Sequence, residues 1–260
     1  MKSLTRRELL ALAGITASSC AVSSCVREQW ASPPAKEPRL RWAFARLDPD
    51  ITADRAYQDY CQGHCMYGVF KSIVWQLAEQ RGEPYKSFPF DMMKYGAGGV
   101  AGWGSLCGGL NGGAAVIGLF ARTREQAQLL THELFRWYEI TALPTYVPKE
   151  TKLKMEMPKS VSSSVLCHVS VSSWCKVSGH RAFSKEHNER CARLTADTAK
   201  KTVEILNSSL QGQFAAAHSL SAETKWCNSC HARGGELENS LGEMSCSACH
   251  FSGGQKHPNL

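Results

Sequence analysis

Apolar side chains recur at helical intervals through much of the chain, and little of it alternates as a strand would. From Cys65 onward, Met66, Val69, Phe70, Ile73, Val74 and Leu77 fall on one helical face; Gly82, with Pro84 beyond it, ends the pattern. Residues 105–120 are rich in small apolar side chains, which predicts a buried helix, since the run is too short and Asn111 too polar for a membrane span. Thr123 followed by Gln126 predicts a capping box that opens a helix to about Ile140, with Leu129, Leu130, Leu134 and Trp137 on its apolar side. A further helix is expected from Lys185 to Asn207, with Leu194, Val203 and Leu206 as its apolar positions. Pro144, Pro148 and Pro158 punctuate the connection between those two helices, and Asn207 to Gly212 reads as a link to the C-terminal segment. The class is therefore mainly α: a helical, Cys-bearing domain over 51–210, then a small, loop-rich segment over 211–260.

Composition adds a question that the pattern does not answer. The chain has 260 residues, 43% of them hydrophobic and 20% charged, with 12 Cys and 9 His. It is apolar enough to collapse and too long to need staples in place of a core. The cysteines therefore require a separate explanation: metal, cofactor attachment or oxidised export. Export has its own signature. Lys2, Arg6 and Arg7 precede a short apolar run from Leu9 to Ala17, so residues 1–24 read as an export signal of twin-arginine type. Val22-Ser23-Ser24-Cys25 resembles a lipoprotein cleavage box, and Cys20 has a poorer one, so a lipid anchor at Cys25 stands beside plain cleavage. Residues 25–50 then form an N-terminal arm. The expected location is the periplasm, free or membrane-anchored.

Two copies of C-x-x-C-H carry the strongest chemistry. They are Cys227-Asn228-Ser229-Cys230-His231 and Cys246-Ser247-Ala248-Cys249-His250. Two thiols three positions apart reach the two vinyl groups of one porphyrin, and the adjacent His binds the iron from below. A four-Cys zinc ribbon leaves both histidines unexplained. The pattern calls for two haem c, attached through Cys227, Cys230, Cys246 and Cys249, with His231 and His250 as proximal ligands. His218 and His257 are the first choices for the distal positions. The segment from Phe214 on has few large apolar residues, so its haems must pack on each other, on the helical domain or on a second subunit.

Six cysteines remain: Cys61, Cys65, Cys107, Cys167, Cys175 and Cys191. Their wide spacing matches no standard ferredoxin or zinc pattern, and three disulfides, an iron–sulfur centre, zinc and free thiols all stay open. Cys107 lies inside Gly96–Gly113, a stretch holding nine of the 21 glycines. No Gly-Lys-Ser/Thr follows, and no strong strand precedes, so neither a phosphate loop nor a dinucleotide fold fits. Close backbone approach, to another helix or to an inorganic centre, explains the glycines better.

These stretches together resemble the split-Soret cytochrome c family. The matching segments are Cys61-Gln62-Gly63-His64-Cys65-Met66-Tyr67-Gly68-Val69-Phe70, the Gly-rich run around Cys107, Ser164-Val165-Leu166-Cys167-His168 with Trp174-Cys175, then Cys191, then both haem motifs. The resemblance implies a homodimer with bis-histidine haems stacked near the subunit boundary and an iron–sulfur site in the helical domain. Carried over by motif, that site falls on Cys65, Cys107, Cys175 and Cys191, with Cys167 an almost equal candidate and Cys61 a spare thiol. His64 and His168 also fall in matching stretches and stand as alternative distal ligands.

The leading function is exported electron transfer between redox partner proteins; the alternative is an oxidoreductase reducing a small molecule at an open haem or cluster. No hydrolase constellation stands out, and His132-Glu133 reads as a solvated helix face. The formal net charge of +7 hints at nucleic acid. The signal accounts for +2 of it (Lys2, Arg6 and Arg7 against Glu8), and four haem propionates offset most of the rest. No nucleic-acid partner is expected.

Overall fold

The computed structural model describes residues 42–250, apart from Lys152 and Ala248. The expected signal with Cys20 and Cys25, most of the 25–50 arm, and His257 lie outside these residues.

Helix α1 (Pro49–Arg81) is capped by Asp48, whose carboxylate accepts from the backbone N–H of Asp50 at 2.8 Å and Ile51 at 3.1 Å. Pro49 suits the first helical turn, where its missing N–H costs nothing. The helix therefore opens well before Cys65. Its first half buries Thr52, Ala53, Ala56, Tyr57 and Tyr60, small or polar-tipped residues that give a weak apolar signal. It breaks at Gly63 and His64, where His64 has φ +65, and resumes at Cys65 in the expected register.

A 3₁₀ turn (Phe90–Gly96) leads through the glycine-rich loop to α2 (Gly108–Phe120). Helix α3 (Arg124–Ile140) opens as expected, with the Thr123 hydroxyl accepting from the Gln126 N–H at 3.2 Å. The Gln126 carbonyl reaches one residue further back than a capping box requires, to the Arg122 N–H at 2.7 Å. Leu130 and Leu134 are buried, but Leu129 points outward, 47% exposed. Thr123→Ala is expected to cost about 1 kcal/mol, read as a lower denaturant midpoint at unchanged slope.

Ala142–Leu143 (β1) and Ser160–Val161 (β2) pair antiparallel, with Ala142 opposite Val161. Helix α4 (Cys167–Ser178) was not legible in the sequence, because Val, Ser and Cys are indifferent helix formers. Helix α5 (Lys185–Leu210) runs one turn past the expected end. A short α6 (Ala222–His231) carries the first C-x-x-C-H motif.

Helix α1 packs chiefly on α5 and α2, and α2 bridges to α3. Their shared core is Val69, Ile73, Leu77, Leu110, Ile117, Leu134, Val203 and Leu206. The described residues from Trp42 onward form one compact unit. Trp42 and Phe44 from the arm, and Phe214 from the C-terminal segment, pack against the same core. The chain is mainly α, as its periodicity predicts.

Candidate metal centres

Four of the six central cysteines come from four different elements and meet around one buried cation. Cys65 follows the α1 break, Cys107 precedes α2, Cys167 opens α4, and Cys191 lies in the second turn of α5. The glycine-rich loop makes the meeting sterically feasible. Gly98, Gly99, Val100, Ala101 and Gly102 all have φ between +51 and +81, so the chain makes a left-handed turn. That turn brings the loop against α4: Ser105 O accepts from Cys167 N at 2.6 Å, Gly104 O from His168 N at 3.0 Å, and Val165 O from Cys107 N at 2.9 Å. A Cβ on Gly99 would stand 2.7 Å from Cys167 Cβ, and one on Gly108 would stand 2.5 Å from Gly96 O and 3.0 Å from Cys65 Cβ. Only glycine allows backbone to lie this close to the thiols.

Arg190 is the cation. It is buried, donating to Ser170 Oγ at 2.7 Å and approaching Cys191 Sγ at 3.8 Å. The Tyr138 hydroxyl, fully buried, donates to the same Ser170 Oγ at 2.8 Å. Arg190 Nε has no hydrogen-bond partner. Burial alone would push the guanidinium toward neutrality; the adjacent Cys191 thiolate foremost outweighs it and keeps it charged. This arrangement selects where a thiolate forms. Cys191 is held well below the usual thiol range, first by a hydrogen bond from Cys65, then by His187, 3.4 Å away, and by Arg190. Cys65 is pushed well up, first by that same bond and then by burial. Cys167 is pushed up to about 12 by burial and by the neighbouring charges of Cys107 and Cys191.

None of the ten described cysteines is joined in a disulfide, so the disulfide reading of the central six is not what the structure holds. Cys175 stands eight residues beyond Cys167 on α4, about 12 Å along the axis, and the four thiols interact without it. Cys61 is exposed on α1. Among the described residues, no three His, Cys, Asp or Glu side chains are placed to hold a single metal ion.

The second site gathers on α3. Cys227 and Cys230 lie one helical turn apart on α6, as one porphyrin needs. The second motif is a turn of the same pitch, with Cys246 O accepting from Cys249 N at 3.2 Å and His250 N at 2.9 Å. The two motifs sit side by side: Cys246 is pushed up by burial and then by the adjacent Cys227 thiol. The His231 ring bonds Asn239 at 2.7 Å.

Both flanks of this segment rest on α3. Glu133 accepts from the backbone N–H of Ala217 and His218, each at 3.0 Å, and its other oxygen meets His218 Nδ1 at 2.7 Å. Arg136 donates to Ser219 O at 3.1 Å, Glu139 accepts from Ser245 N at 3.3 Å, and His132 pairs with Glu243 at 2.7 Å. His132-Glu133 is therefore not a solvated face. Glu133 is only 2% exposed; burial pushes its carboxyl up, but its hydrogen bonds, those from His218 foremost, outweigh that and hold it below the usual range. Its partners lie 84 and 85 residues away, beyond the reach of any local pattern. Of the other candidate histidines, His64 sits in the α1 break with its ring edge-on to Tyr60, and His168 bonds Gly104 O through Nδ1 at 3.2 Å, both on the thiol side.

A family model described as "Putative redox-active protein (C_GCAxxG_C_C)" matches residues 67–205, the stretch holding Cys107, Cys167, Cys175 and Cys191. Split-Soret cytochrome c from Desulfovibrio desulfuricans is 42% identical over 216 residues, which are 80% of this chain and 77% of that protein. The chain belongs to the split-Soret cytochrome c family. The solved structure of the split-Soret cytochrome c from Desulfovibrio desulfuricans ATCC 27774, described as having a novel iron centre, superimposes with a TM-score of 0.78 at 40% identity. It covers 83% of this chain and 93% of its own. The redox-active model takes in Cys107, Cys167 and Cys191 but begins two residues after Cys65, and it stops short of the α6 motif. The family relationship with split-Soret cytochrome c extends over most of the chain.

Proposed function

We propose that this protein is an exported electron carrier holding two haem c and an iron–sulfur centre in each chain. The observation that carries the reading is the pairing of two separate sites on one fold: four thiols around a buried arginine, and two C-x-x-C-H turns side by side in the segment whose flanks rest on α3. Bound haem and iron–sulfur groups supply one-electron transfer. The chain's own residues supply attachment, orientation and charge.

The residues suit both groups. Cys227, Cys230, Cys246 and Cys249 attach the porphyrins, with His231 and His250 beneath them. Trp226, Leu237, Leu241 and Met244 are exposed on this segment and offer apolar faces to porphyrin rings. His218, bonded through Nδ1 to Glu133, keeps Nε2 for a metal as a distal ligand. His257 remains the choice for the other haem. Cys65, Cys107, Cys167 and Cys191 suit a cluster, which spreads its ligands over more than one iron. An Arg190 without a carboxylate partner offsets the negative charge such a centre brings. A homodimer covers the exposed haem segment. The relative's iron centre supports the cluster assignment, and twin-arginine export of a folded, loaded protein is consistent with it. The Cys25 box leaves a lipid anchor as one form of that export.

Anaerobically purified protein tests the reading. We expect two haem c per chain by pyridine haemochrome, additional iron with acid-labile sulfide, and a Soret band split by coupling between stacked haems. A high-spin ferric signal that shifts with small ligands would instead favour the oxidoreductase. Two iron per chain and no sulfide would remove the cluster.

A further inference from the structure

We infer that Glu133 is a positioning residue for an axial haem histidine, His218; the inference rests on the reading of His218 as a distal ligand. Glu133 commits both carboxylate oxygens to a single neighbouring segment. Oε2 accepts the backbone N–H of Ala217 and His218, which fixes the path of the chain just before α6. Oε1 accepts from the imidazole at Nδ1, 2.7 Å away, which fixes both the rotation of the ring and its tautomer. The proton is then on Nδ1, and Nε2 keeps its lone pair for a metal. A bond to an anion also makes the imidazole a stronger donor than a bond to a neutral carbonyl would.

The carboxylate is itself anchored. It is 2% exposed on the middle of α3, and Lys201 Nζ of α5 stands 3.6 Å from Oε1. The ammonium moderates the negative charge that His218 feels. Electron donation by the ligand is therefore set by two opposed charges, one on each of two core helices. A purely structural cap for residues 217 and 218 would need neither the ring contact nor the lysine.

The test uses the holo-protein with both haems attached. Glu133→Gln keeps the size and, through its amide oxygen, the backbone bonds of the carboxylate, but it removes the charge and leaves no acceptor facing Nδ1. It should raise the midpoint potential of one haem and shift that haem's low-spin EPR g values, leaving the other unchanged. Lys201→Met leaves the carboxylate less moderated and should lower the potential of the same haem. Loss of a structural cap would not give shifts of opposite sign. His218→Ala should convert that haem from its bis-histidine signature. If His218→Ala leaves both haems spectrally unchanged, the ligand reading fails. If it alters one haem while neither Glu133→Gln nor Lys201→Met moves that haem's potential, the ligand reading stands and the positioning role is overturned. Should Glu133→Gln not accumulate, Lys201→Met, on the more exposed side of the pair, still decides the matter by the presence or absence of its downward shift.

Discussion

Serine at Cys65, Cys107, Cys167 or Cys191, one at a time, is expected to reduce iron to the haem content and abolish acid-labile sulfide, while Cys61→Ser and Cys175→Ser retain both. The serine hydroxyl is a harder and far less acidic donor than a thiol, so it does not replace thiolate at a soft iron site. The four variants should not be equal in the apo-protein. Cys191 carries the preferred thiolate, because Cys65, His187 and Arg190 all direct positive or donor character at its sulfur. Its loss leaves Arg190 buried beside less acidic thiols, so Cys191→Ser should also lower stability, whereas Cys167→Ser should change the metal content alone. Metal and sulfide assay on protein with an unchanged haem spectrum makes the measurement. Retention of the centre in Cys167→Ser together with its loss in Cys175→Ser would shift the site two turns along α4 and sink this assignment.

The largest effect on stability is expected at Glu189. Its carboxylate is buried between Tyr57, whose hydroxyl donates at 2.9 Å, Thr151 at 3.1 Å and Arg193 Nε at 2.7 Å, with Glu189 and Arg193 side chains 4% and 5% exposed. Glu189→Ala leaves the guanidinium buried without its anion, and breaking such a pair costs about 3–5 kcal/mol. Replacing both partners, as in Glu189→Leu with Arg193→Met, should recover much of that loss, because no buried charge is then left unpaired. Denaturant unfolding of the single and double variants separates the two cases. A single variant within about 0.5 kcal/mol of the parent, the range of an ordinary surface change, would show that water or relaxation reaches Arg193.

How much of the fold and its sites was legible depends on the kind of signal each part leaves. The second half of α1, α3 and α5 carry large apolar residues at helical spacing, and α2 is a run of small apolar ones, so all four were readable almost to their ends. The first half of α1 buries Ala and Tyr in place of Leu and Ile, and α4 is built of Ser, Val and Cys, so neither carries a strong helical stripe. The haem motifs are local and chemically dense, and the spacing alone identifies them. The thiol site is different. Spacing does not say which of six cysteines converge; that depends on a left-handed turn at Gly98–Gly102 that lays Cys107 beside Cys167. Glu133 left no signal, because an acid on a helix looks solvated until the segment that covers it is known.

Helix α5 also acts as a length gauge. Cys191 at the thiol site and Lys201 beneath Glu133 are ten residues apart on one uninterrupted helix, about 15 Å along its axis. The spacing between Cys191 and Lys201 is thus counted out in backbone hydrogen bonds along a single helix. One residue inserted between them would rotate Lys201 by about 100° away from Glu133, whereas seven would bring it back to within about 20° of its face but lengthen the gap by about 10 Å. A change in the number of residues between Cys191 and Lys201 would therefore alter the register of the two sites even where every side chain of α5 is kept.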